Sequence, residues 1–99
     1  MIKRNDILRQ IDDHKLEIKR YGVGRLGLFG SFARGLQRKN SDVDILVEFN
    51  RGQKTFDNYM DLKNYLEKLL KRKVDLVTKE ALKARIKETV LKEAQYASI

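Results

Sequence analysis

Apolar residues recur along this chain in two rhythms, one helical and one extended. From Asn5 to Tyr21, the residues Ile7, Ile11, His14, Ile18 and Tyr21 fall at i, i+4, i+7, i+11 and i+14, which predicts one face of a single helix. Gly22 is placed to end it. Val23 to Phe29 reads as a strand, and Gly30-Ser31 as a turn into a very short helix that stops at Gly35. Gln37 to Ser41 is a basic polar loop. Asp42 to Phe49 (Asp-Val-Asp-Ile-Leu-Val-Glu-Phe) alternates as a strand should.

After a loop at Asn50 to Lys54, the stretch Phe56 to Arg72 predicts an amphipathic helix, with Phe56, Tyr59, Leu62, Leu66, Leu69 and Leu70 on its buried side. Lys73 to Thr78 predicts a third short strand. Lys79 to Tyr96 reads as helical, in two pieces around Arg85. The order α-β-α-β-α-β-α implies an α/β (α+β) fold: a small mixed sheet of three to four strands with helices packed mainly on one face.

Length and composition narrow the choices. The chain has 99 residues, the size of one domain spanning 1–99. No apolar run approaches the roughly 18 residues of a membrane span, and no apolar segment follows Met1-Ile2-Lys3-Arg4, so a cytoplasmic protein without a signal peptide is expected. There is no Cys and one His, which excludes disulfides, thiolate metal sites and Cys nucleophiles and leaves carboxylates as metal ligands. The net charge is +8, spread as +6 over residues 1–41, zero over 42–78 and +2 over 79–99. A basic balance suits phosphate-bearing ligands, although a solvated lysine-rich surface explains it as well.

The candidate chemistry lies in two segments. In a strand, residues i and i+2 point to the same face, so Asp42 and Asp44 project side by side while Val43, Ile45, Val47 and Phe49 face the helices. Two adjacent carboxylates repel unless a cation lies between them, and with oxygen ligands alone the natural cation is Mg²⁺ or Mn²⁺. Asp75, alone among the apolar residues of the third strand, has reason to point at the same place. Gly30 lets a phosphate approach the backbone, the N–H groups opening the next helix carry partial positive charge, and the Ser31 hydroxyl adds a donor. Arg34, one turn on, can reach an anionic oxygen. Together these describe a phosphoryl- or nucleotidyl-transfer site.

An apolar strand running into Gly-Ser, ten residues, Asp-x-Asp opening a second strand, and a further strand with one Asp resembles the polymerase-β-like nucleotidyltransferase superfamily. The short form, with Leu28-Phe29-Gly30-Ser31-Phe32-Ala33-Arg34-Gly35 and Ser41-Asp42-Val43-Asp44-Ile45-Leu46-Val47-Glu48-Phe49, is similar to the minimal nucleotidyltransferase (MNT) family over nearly the whole chain. The resemblance implies a nucleotidyltransferase-like fold. It implies that Gly30 and Ser31 hold phosphate, that Asp42 and Asp44 bind metal, and that Asp75 completes one metal shell and helps take the acceptor's proton. It further implies ATP and two Mg²⁺ ions, with Mn²⁺ an alternative, AMP transfer to a hydroxyl, and a partner. Many MNT proteins pair as antitoxins with a HEPN-domain RNase toxin and adenylylate a Tyr on it, or bind and silence it.

Three other readings compete: an antitoxin that masks its toxin without chemistry, a transferase with a small aminoglycoside-like acceptor, and a nucleic-acid binder supported by net charge alone, which is not expected. A homo-oligomer is left open. Several residues have plainer roles. His14 reads as a core-edge residue, Arg38 and Lys39 equally as guides for a nucleotide or acidic partner and as a solvated loop, and Glu48 as too far along its strand for the same metal. Lys71-Arg72-Lys73 reads as a cationic helix end, and Tyr59 and Tyr65 as core.

Overall fold

The computed structural model describes residues 2–82 and 84–97. Its elements are α1 (Arg4–Asp13), α2 (Lys15–Lys19), β1 (Val23–Phe29), α3 (Gly30–Arg34), β2 (Val43–Phe49), α4 (Phe56–Leu70), β3 (Val74–Thr78), a 3₁₀ turn (Lys79–Ala81), α5 (Ala84–Glu93) and β4 (Gln95–Tyr96). One mixed sheet runs in the order β3-β2-β1-β4. β1 is antiparallel to both its neighbours, and β2 and β3 are parallel. The fold is therefore the mixed α/β arrangement expected, with a fourth strand.

The core lies between the sheet and α1, α2 and α4. Ile7, Ile11 and Ile18 meet Val23, Leu26 and Leu28 of β1, Val43, Ile45 and Val47 of β2, and Leu62, Leu66 and Leu70 of α4. A register irregularity between Val23 and Arg25 resets the alternation of β1, which lets Val23 share a face with Leu26 and Leu28. Leu46 is also fully buried, but its parity places it on the opposite face with Asp44 and Glu48. α5 packs beside α3 and contributes the buried Val90.

Four expectations are corrected. The first helix breaks at His14. Its ring Nδ1 lies 2.8 Å from the Gln10 carbonyl, the acceptor a continuous helix would give to the His14 N–H, which bonds instead to Ile11 O at 3.2 Å. Phe56 is 76% exposed. It is the first residue of α4, about 90° round from the Leu62–Leu66–Leu70 stripe at 100° per residue. That helix starts on the Thr55 hydroxyl, which accepts from Asn58 N–H at 3.1 Å, and stops at Leu70 because Lys71 turns left-handed at φ 55°. Finally, the C-terminal segment is not helical throughout. A 3₁₀ turn at Lys79–Ala81 precedes α5, Arg85 lies inside α5, and Gln95–Tyr96 pair with Leu28 and Gly27 as a strand. Gly27 permits this, because a Cβ there would meet the Tyr96 ring at 3.1 Å.

Candidate active site

β1 delivers the chain to Gly30 with Phe29 still extended, and α3 begins at once. Phe32 and Ala33 anchor the inner side of α3 in the core, which leaves Ser31 partly exposed at its start. Gly35 ends α3 in the left-handed region, and Leu36 N–H closes back on Ser31 O at 2.9 Å.

Gly30 itself has φ +72°, and a Cβ there would run into the Asp44 carboxylate. Only glycine lets the Gly-Ser turn and the Asp-x-Asp strand approach so closely. The strand register explains why they meet, since Phe29 is the antiparallel partner of Asp44. Across the other side of β2, Asp44 is the parallel partner of Asp75. Register partners point to the same face, so two of the three candidate carboxylates stand side by side. Asp42 lies one residue before β2 and is exposed.

Asp44 carries the electrostatic signature of this crowding. Its pKa is pushed up to about 6, first by burial, then by the Asp75 and Asp42 charges, with Arg34 pulling the other way. The structure thus brings Asp44 and Asp75 together over Gly30 and keeps Asp42 within electrostatic reach. Among the described residues, no three His, Cys, Asp or Glu side chains stand close enough to grip a metal as they are. The donor set nonetheless fits a hard divalent cation. All donors are carboxylate oxygens, and positive charge is what would relieve the burial and repulsion at Asp44.

Arg34 is half exposed and its guanidinium lies 3.5 Å from Glu93 of α5. That pair lines an open cleft of about 300 Å³ beside Gly30, walled also by Phe29, Ile86 and Val90. A larger hollow of about 440 Å³, lined by Lys3, Arg4, Gln37 and Arg34, lies away from the carboxylates. We assign it no chemistry.

Further along the open face, Glu48 takes a structural part. It lies 3.7 Å from Arg25 and 3.8 Å from Lys79, and Arg25 stacks 3.7 Å over the Tyr96 ring. Tyr59 is partly buried and donates its hydroxyl to Leu76 O. Arg72 has a role that a charge run conceals: it donates to the carbonyls of Lys39 at 3.0 Å and Ser41 at 3.4 Å. Only the register of distant segments reveals such a contact.

With the geometry established, comparison with known proteins is specific. The family model of the nucleotidyltransferase domain matches residues 11–97. The chain is 42% identical over 97 residues to the protein adenylyltransferase MntA of Thermococcus cleftensis, covering 97% of each chain. It is similar to a solved structure assigned as a minimal nucleotidyltransferase, with TM-score 0.79, 39% identity and 95% of both chains covered. Toxin–antitoxin structures share the fold at lower identity. One, with AMP-PNP, has TM-score 0.67 at 24% identity and covers 86% of this chain and 70% of the other. Another, a tri-AMPylated Shewanella oneidensis HEPN toxin with its MNT antitoxin, has TM-score 0.61 at 18% identity over 90% and 70%.

Proposed function

The chain belongs to the nucleotidyltransferase domain family, and on that premise we propose that it transfers AMP from ATP to a hydroxyl, a Tyr in our reading, of a HEPN-type RNase toxin, and so acts as its antitoxin. The carrying observation is the register that sets Asp44 between Gly30 and Asp75. The MntA relative and the AMPylated toxin complex support the choice of group and acceptor.

In this mechanism, Gly30 and Ser31 cradle the triphosphate with backbone N–H groups and the Ser31 hydroxyl. Arg34 offsets phosphate charge from the other end of α3. Asp42 and Asp44, with Asp75, would hold Mg²⁺, which supplies charge neutralisation on the phosphates and orientation of the reacting oxygens. The acceptor oxygen attacks the α-phosphorus and forms the new P–O bond. The bond to the bridging oxygen breaks, and pyrophosphate leaves with the electron pair. Asp75 takes the acceptor's proton on a carboxylate oxygen. The partner supplies the acceptor, positioned about 3–3.5 Å from phosphorus.

The test is to co-purify the chain with its HEPN-type partner and weigh the partner intact, with and without ATP and Mg²⁺. The expected result is a mass gain of one or more AMP groups. It should be lost in Asp75→Asn, although that variant still binds the partner. Full silencing by Asp75→Asn with no AMP attached would make the chain a masking antitoxin. Brisk AMP transfer to a small molecule by the isolated chain would redirect the acceptor to the cleft beside Gly30.

A further inference from the structure

We propose that Arg72 is a positioning residue that fixes Asp42 relative to the Ser31 helix, and thereby sets how tightly the carboxylate site takes a divalent cation. The inference rests on the reading of Asp42 as a metal ligand given above.

Asp42 ends the segment that joins α3 to β2, and that segment has little to hold it. Its one large apolar residue, Leu36, is 66% exposed. Arg38, Lys39 and Asn40 are exposed as well. A loop without an apolar anchor depends on polar ties for its conformation. Two of those ties are internal: Arg38 N–H to Ser41 Oγ at 2.8 Å and Ser41 N–H to Arg38 O at 3.0 Å. They shape the turn, but they do not attach it to the rest of the molecule.

The attachment comes from the far end of α4. Lys71 turns left-handed, and the chain then passes the loop on its way into β3. Lys73 O accepts from Val43 N–H at 2.9 Å, on the C-terminal side of Asp42. One nitrogen of Arg72 donates to Lys39 O at 3.0 Å and Ser41 O at 3.4 Å, on the N-terminal side. Asp42 is thus bracketed by consecutive residues of one turn.

The same guanidinium lies 5.4 Å from the centre of the Phe32 ring. Phe32 is fully buried and follows Ser31 in α3. Arg72 therefore touches both halves of the candidate site: the helix that would hold phosphate and the loop that aims a carboxylate. A planar cation that donates at its edge and stacks on its face is suited to this, and an ammonium is not. Groups that orient metal ligands typically change affinity by about 10–100-fold when removed.

Mn²⁺ is the probe, titrated by electron paramagnetic resonance with the 99-residue chain and AMP-PNP present, alongside amide exchange at Ser41 and Val43. Arg72→Gln is expected to weaken Mn²⁺ binding about tenfold and to speed exchange at both amides, with Tm falling by no more than about 5 °C. Arg72→Lys should fall between wild type and Arg72→Gln. If Arg72→Gln fails to fold, the Arg72→Lys titration carries the test. AMP transfer by either variant should recover at high Mn²⁺, which a merely loosened fold would not allow. Unchanged Mn²⁺ affinity would overturn the proposal, as would a loss that follows Tm and does not recover with metal. The metal titration needs no acceptor. A wild-type chain that binds Mn²⁺ yet leaves its partner unmodified would sink the proposed function and leave this inference standing.

Discussion

Two residues, Gly30 and Asp44, share one space, and each constrains the other. A side chain at residue 30 has to displace the Asp44 carboxylate and also adopt φ +72°. Gly30→Ala should cost about 1–3 kcal/mol by urea denaturation and at least about tenfold in AMP transfer. Gly52→Ala is the control, since its φ is +77° with nothing within 4 Å. It should lose about 1 kcal/mol or less and keep full activity. Asp44 gives a pH dependence whose sign is fixed. Its folded pKa, about 6, lies above the ordinary aspartate value of 3.8. Between those values the folded chain holds a proton that the unfolded chain has released, so the metal-free fold loses stability as pH rises from about 4 to about 6 and levels off above. Asp44→Asn removes that contribution. Its Tm relative to wild type should therefore be higher at pH 7.5 than at pH 4.5, both without metal. Equal differences at the two pH values would mean that the carboxylate is relaxed by its surroundings.

At the level of elements, the ends of α4 differ in quality. Its start is capped by Thr55, while its end forces Lys71 to φ 55°, where a side chain is strained. Lys71→Gly should stabilise the chain by about 0.5–1 kcal/mol in thermal or urea unfolding. A loss would show that the Lys71 side chain holds something the backbone does not. The legibility of the sequence follows the same division between local and distant. β1 and β2 could be read because alternation is local, and the Gly30-Ser31 turn because glycine announces it. Asp42, Asp44, Asp75, Gly30, Ser31 and Arg34 were all nameable as candidates from spacing. What could not be read depends on distant partners. β4 is two residues long and exists because Gly27 leaves space for Tyr96. The break at His14 turns on one ring claiming one carbonyl. Arg72 looked like part of a cationic helix end, because nothing in Lys71-Arg72-Lys73 tells that the loop before Asp42 passes by. Phe56 reads as part of the buried face of α4 but stands about 90° round from its leucine stripe.

For the molecule as a whole, the sheet is closed on one side by its smallest element. β4 covers the outer edge of β1 with Gln95 and Tyr96 alone, assisted by Ala97 N–H to Leu26 O at 2.9 Å and by Arg25 against the Tyr96 ring. Gly27→Val should push the ring away, at about 1–3 kcal/mol of stability, and leave a bare strand edge. Size-exclusion chromatography should then show association that rises with concentration, whereas a monomeric variant of unchanged stability would mean that the ring has another place to go. Strand order also matters while the chain is being made. The pairing partners of β2 and β3 all lie at or before Thr78, so Asp44 and Asp75 can come into register on a nascent chain whose α5 is still inside the ribosome. The outer edge of β1 must wait for Tyr96 to emerge. During that interval the half-made protein already has its carboxylate pair but also an open backbone ladder, and any strand from a neighbouring nascent chain competes with its own C-terminal segment for the place. The time that the segment after Thr78 takes to emerge and dock therefore sets how long that competition lasts.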